Sequence, residues 1–131
     1  MKKLFISCPM KGRTEEDIRK SMEKMHKLAE IIFDQELEVI PTYIEHVPPE
    51  TKDKSIWCLG ESIKKMAEAD FFIGVGWDSE FNGCGIEYSV ARDYGIRSYN
   101  LNPYEVMPEL RETARALRRG DATPCNCTCG E

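Results

Sequence analysis

Four short apolar runs alternate with longer stretches of helical spacing, and no other feature of this chain limits its possible folds as much. The runs lie at residues 3–8, 36–40, 70–75 and 97–101, and Pro9 and Pro41 close the first two. A helix is predicted over 14–33, where Ile18, Met22, Met25, Ala29, Ile32 and Phe33 recur on one stripe. Thr14 followed by Asp17 reads as a capping box with Asp in place of Glu. A second helix is predicted over 56–68, with Leu59, Ile63, Met66 and Ala67 inward. A third is predicted over 84–94, with Gly95 as its cap. A last amphipathic helix over 108–119 carries Leu110, Ala114 and Leu117. Strands that alternate with helices build a mainly parallel sheet of four to five strands covered on both faces, an α/β three-layer sandwich.

A chain of 131 residues forms one domain, assigned to 1–119 and followed by a Cys-rich tail at 120–131. The net charge of −5 disfavours a nucleic-acid polymer or an anionic membrane as partner. Lys2-Lys3 leads into an apolar stretch too short for a signal peptide, and no run reaches membrane-spanning length. A cytoplasmic protein with reduced thiols is therefore expected. Cys8, Cys58 and Cys84 read as small, partly buried thiols. Cys125, Cys127 and Cys129 alternate with other residues, unlike the Cys-x2-Cys spacing of zinc sites. His26 and His46 lack ligand spacing and are assigned structural roles. No metal or organic cofactor is expected.

Parallel sheets bind ligands beyond the carboxyl ends of their strands, near the switch in strand order. Loops at 9–13, 42–55 and 76–83 are expected to meet there. In the first, Cys8-Pro9-Met10-Lys11-Gly12-Arg13-Thr14 combines free helix amides with two bases, a fit for an anion such as a 5′-phosphate. It has neither the phosphate-loop nor the dinucleotide glycine spacing. In the third, Trp77-Asp78-Ser79-Glu80-Phe81-Asn82 gathers aromatics that can sandwich a base and polar groups that can bond sugar hydroxyls. The segment that follows, Gly83-Cys84-Gly85-Ile86-Glu87-Tyr88-Ser89-Val90-Ala91, sets a carboxylate in the first turn of a helix. The helix dipole there is expected to keep Glu87 ionised. Blander uses of the same residues stay open: Glu in a first turn for the dipole alone, Asp-Ser and Asn-Gly as turns, Lys11 and Arg13 as solvated bases.

Over residues 3–101 the chain resembles the nucleoside 2-deoxyribosyltransferase superfamily. The resemblance rests on the small-residue loop at 6–12, on Ala69-Asp70 opening an apolar strand, and on the Gly-x-Glu-x-x-x-Ala pattern of Gly85, Glu87 and Ala91. Lys11-Gly12-Arg13 is more similar to the deoxynucleotide N-hydrolase branch, which recognises a 5′-phosphate. The resemblance implies a flavodoxin-like, Rossmann-like fold and a homo-oligomer, a dimer or larger. It also implies cleavage or transfer at the N-glycosidic bond of a (deoxy)nucleoside or its 5′-monophosphate. Glu87 is then the nucleophile that attacks C1′, passing through a glycosyl-enzyme intermediate. Asp78, Glu80 or Glu61 is the candidate proton donor. Cys8, Pro9, Met10, Lys11, Gly12, Arg13, Trp77, Asn82, Gly83, Gly85 and Tyr88 make up the candidate substrate-binding set. Two positions depart from the family pattern: Ser62 stands where an Asp usually helps protonate the leaving base, and Phe81 where an Asp or Ser is usual. The alternative expectation is a protein that binds a nucleotide or nucleotide-derived signal without cleaving it.

Overall fold

The computed structural model describes residues 1–10, 12–42, 44, 46–75, 82–102 and 104. Seven elements follow in strict alternation: β1 (Lys2–Ser7), α1 (Glu15–Ile32), β2 (Leu37–Val39), α2 (Lys54–Met66), β3 (Phe71–Gly74), α3 (Asn82–Asp93) and β4 (Arg97–Asn100). All strand pairs are parallel, in the order β2-β1-β3-β4. The fold is thus α/β with a four-stranded parallel sheet and three helices among the described residues, consistent with a flavodoxin- or Rossmann-like sandwich. The helix expected over 108–119 and the tail at 120–131 lie outside the described residues.

Strand alternation divides the core into two halves, one on each face of the sheet. Leu4, Ile6, Phe71 and Ile73 join Met25, Ala29 and Phe33 on the α1 side. Phe5 and Phe72 face the other way, against Met66 at the end of α2 and Ala91 of α3. The Phe5 and Phe72 rings stack with centroids 5.7 Å apart. Each such side chain stabilises the fold by roughly 1.5–3 kcal/mol through burial, which is why the apolar runs form the central strands.

Local chemistry sets where the helices begin and end. Thr14 caps α1, accepting the Asp17 amide at 3.1 Å, and Asp53 caps α2, accepting the Ile56 amide at 2.9 Å. After α3, Gly95 adopts φ +80°, and the Ile96 amide donates to the Ala91 carbonyl at 2.9 Å. This left-handed ending is the one glycine favours.

Three expectations are corrected. Ala67, expected on the inward stripe of the second helix, follows the helix end and is exposed. Cys58 is buried instead, two turns before Met66. Cys58 is also disulfide-bonded rather than a thiol, whereas Cys8 and Cys84 are buried thiols. Finally, α3 begins at Asn82, two residues earlier than its spacing suggests, with Gly83 and Cys84 buried in its first turn.

Within this frame the chain runs from β1 outward to β2, then returns past β1 to β3. The switch in strand order therefore falls between β1 and β3. No helix among the described residues is long and apolar enough to cross a membrane.

Candidate active site

At that switch, the carboxyl ends of three strands align Ser7, Gly74 and Asn100 in one row. Strand alternation puts this row on the face shared by Phe5 and Phe72, beneath α3. Helix α3 touches β1, β3 and β4, and it buries Gly83, Cys84, Glu87 and Ala91.

Glu87 is only 5% exposed and Ser7 only 1%. A buried carboxylate is costly unless it is hydrogen-bonded. The Ser7 hydroxyl supplies such a bond, donating to Glu87 Oε1 at 2.6 Å. That length falls in the range of charge-assisted O–H···O⁻ bonds. Gly74 is the sheet partner of Ser7 and packs closely against it. A Cβ there would lie 3.1 Å from Ser7 Cβ and 2.8 Å from the Phe72 ring, so any side chain would displace both.

The early start of α3 changes the electrostatic argument. Glu87 falls in the second turn, and the first turn carries no acidic residue. Dipole stabilisation fades beyond the first turn. Burial and the Ser7 bond bear on this carboxylate more than the helix end does.

The β1–α1 loop is held by Arg13. Its Nη1 donates to the Pro9 carbonyl at 2.9 Å and lies 3.5 Å from Cys8 Sγ. Its Nη2 donates to Ser21 Oγ at 2.6 Å. The guanidinium expected to receive a phosphate is thus turned onto the loop and onto α1. Cys8 and Pro9 are buried, Met10 is half-buried, and Gly12 is exposed with φ +77°.

The remaining candidates divide into three groups. Asn82, Gly83 and Gly85 begin α3, with Asn82 exposed and Gly83 buried. Tyr88 packs on Phe72 at 6.2 Å, with the Arg92 guanidinium 5.6 Å from its ring centre. Glu61 pairs with Lys64 on the surface of α2 at 3.0 Å. Lys11, Trp77, Asp78 and Glu80 lie outside the described residues. His26 sits 2.8 Å from the Leu37 carbonyl and 3.2 Å from Glu30, tying α1 to β2.

Two hollows formed by described residues lie away from this site. One, of about 350 Å³, is lined by Ile18, Met22 and Val39; the other, of about 460 Å³, by Ile63, Met66 and Val90. Neither includes Ser7 or Glu87. Among the described residues no three His, Cys, Asp or Glu side chains are grouped as a metal ion would require.

Sequence reasoning missed Ser7 and Gly74. The available signal was a lone hydroxyl ending an apolar strand, in a place where Ala would fill the same space. No family model, curated protein or solved structure matches the chain.

Proposed function

We propose that this protein cleaves or transfers at the N-glycosidic bond of a (deoxy)nucleoside or nucleoside 5′-monophosphate, with Glu87 as the nucleophile. The observation that supports it most is the buried Glu87 carboxylate, bonded to Ser7 beside the switch between β1 and β3. A carboxylate in that place suits attack on C1′ as the base departs, giving a glycosyl-enzyme that water or a second base then resolves. The likeness of residues 3–101 to the nucleoside 2-deoxyribosyltransferase superfamily supports the same reading. Phosphate recognition, where the substrate carries one, falls to Lys11 and the loop amides, since Arg13 already bonds the protein.

The second reading, a nucleotide binder without turnover, draws on Glu61. Its carboxylate pairs with Lys64 at the surface, which leaves protonation of the leaving base to Asp78 or Glu80. Loss of general acid catalysis typically costs about 10²–10⁴-fold in rate.

Incubation with a panel of deoxynucleosides and 5′-monophosphates, followed by chromatography of the released base, separates the readings. Glu87→Gln is expected to abolish release while the protein stays folded. Exchange with an added free base marks a transferase, and release without exchange a hydrolase. Tight binding with no release establishes the binder.

A further inference from the structure

Resting on the glycosyl chemistry proposed above, we infer that Ser7 is a positioning residue for Glu87 whose main effect falls on the second half of the reaction, release of the sugar from the enzyme. The buried polar or charged residues among those described are Ser7, Ser21 and Glu87. Ser21 is accounted for by Arg13, which bonds its hydroxyl at 2.6 Å. Ser7 and Glu87 are joined at 2.6 Å across 80 positions of sequence. A hydroxyl buried without a partner costs about 1–3 kcal/mol in proteins. Alanine would end β1 without that cost, so the group that gives a hydroxyl here its use is Glu87.

Ser7 holds Oε1, and the inference includes attack by Oε2. In the first half-reaction an Oε2 electron pair forms the bond to C1′. The C1′–N bond breaks, and its electron pair leaves with the base, which takes a proton from a general acid or water. Oε1 then becomes the carbonyl oxygen of a glycosyl ester, still facing the Ser7 hydroxyl. In the second half-reaction a water oxygen bonds to C1′ and releases its proton to solvent. The Oε2–C1′ bond breaks, and its pair returns to the carboxylate.

Negative charge builds on Glu87 as the ester departs. Hydrogen bonds to ionised acceptors are roughly twice as strong as those to neutral ones. The Ser7 bond is therefore stronger in the departing transition state than in the ester, which speeds that step. The same bond favours the free carboxylate over the forming ester, so it gives no such help to the first attack. Ser7 thus keeps the intermediate short-lived.

The test compares wild type with Ser7→Ala and Ser7→Cys on the panel substrate that wild type cleaves fastest. Steady-state rates are measured together with acid-quenched mass spectrometry of the intact protein. Ser7→Ala is expected to lower kcat by about 10–100-fold, the range that loss of a bond to a charged group implies. KM should fall with it, so that kcat/KM changes little, and protein carrying the sugar should accumulate. Ser7→Cys, which keeps a weak donor, should fall between the two and carries the comparison if Ser7→Ala does not fold. Wild-type kcat in both variants overturns the role of Ser7 while base release by wild type leaves the proposed function standing. A fall in kcat and kcat/KM together, without adduct, overturns the assignment to the second half-reaction. Absence of base release from wild type overturns both the proposed function and this inference.

Discussion

Ser7 bonds Glu87 and lies directly beside Gly74 at the strand ends, so packing at Gly74 bears on the site. Gly74→Ala puts a methyl 2.8 Å from a ring carbon of Phe72, which is fully buried and cannot swing aside. Overpacking of this kind costs about 1–3 kcal/mol. A lower urea midpoint is expected, with a larger loss of base release than stability alone explains. An unchanged midpoint would contradict the close packing. Arg13 makes a contrasting prediction. Its guanidinium bonds the loop and Ser21, so Arg13→Ala should lower stability by about 1.5–3 kcal/mol. The preference for 5′-monophosphate over nucleoside should stay within a few-fold of wild type. A loss of that preference would restore Arg13 as the anion ligand. Neither role was legible in the sequence. Arg13 follows a glycine and reads as solvated, while its partner Ser21 lies eight residues on. The partner of Ser7 lies in another element altogether.

At the scale of elements, much could be read, because periodicity and stop residues are local. The stripe of Met25 and Ala29, the Thr14 cap and the Gly95 ending all follow from neighbours within a few positions. What was misread came from tertiary packing. The spacing starts the third helix at Cys84 and puts Glu87 in its first turn, yet α3 begins at Asn82, with Gly83 and Cys84 buried, and Glu87 falls in its second turn. The attachment of β2 was also hidden. Glu30 Oε2 accepts the Leu37 amide at 2.9 Å and lies 3.2 Å from His26, which binds a three-residue edge strand to α1. Glu30→Ala should therefore speed hydrogen exchange at the Leu37 amide by about tenfold or more, since a bond to a charged group is worth about 1.5–3 kcal/mol. Exchange there at the wild-type rate would show that the sheet alone holds β2.

For the whole molecule, the alternating pattern was enough to indicate a parallel sheet covered on both faces, and the strand order β2-β1-β3-β4 then puts the switch between β1 and β3. A ligand site at such a switch follows from the topology of parallel sheets in general. Which chemistry occupies it depends on the few side chains that converge there, and Glu87 is the one buried charged group among the described residues. The central claim, that this carboxylate attacks the sugar, is tested most directly by finding the covalent intermediate. Protein mixed with the fastest-cleaved substrate, quenched in acid within the first turnover and digested, should yield a peptide spanning Glu87 that carries the mass of the sugar. The adduct should be absent from Glu87→Gln. Base release that persists in Glu87→Gln, or a sugar attached to any other residue, would contradict the account.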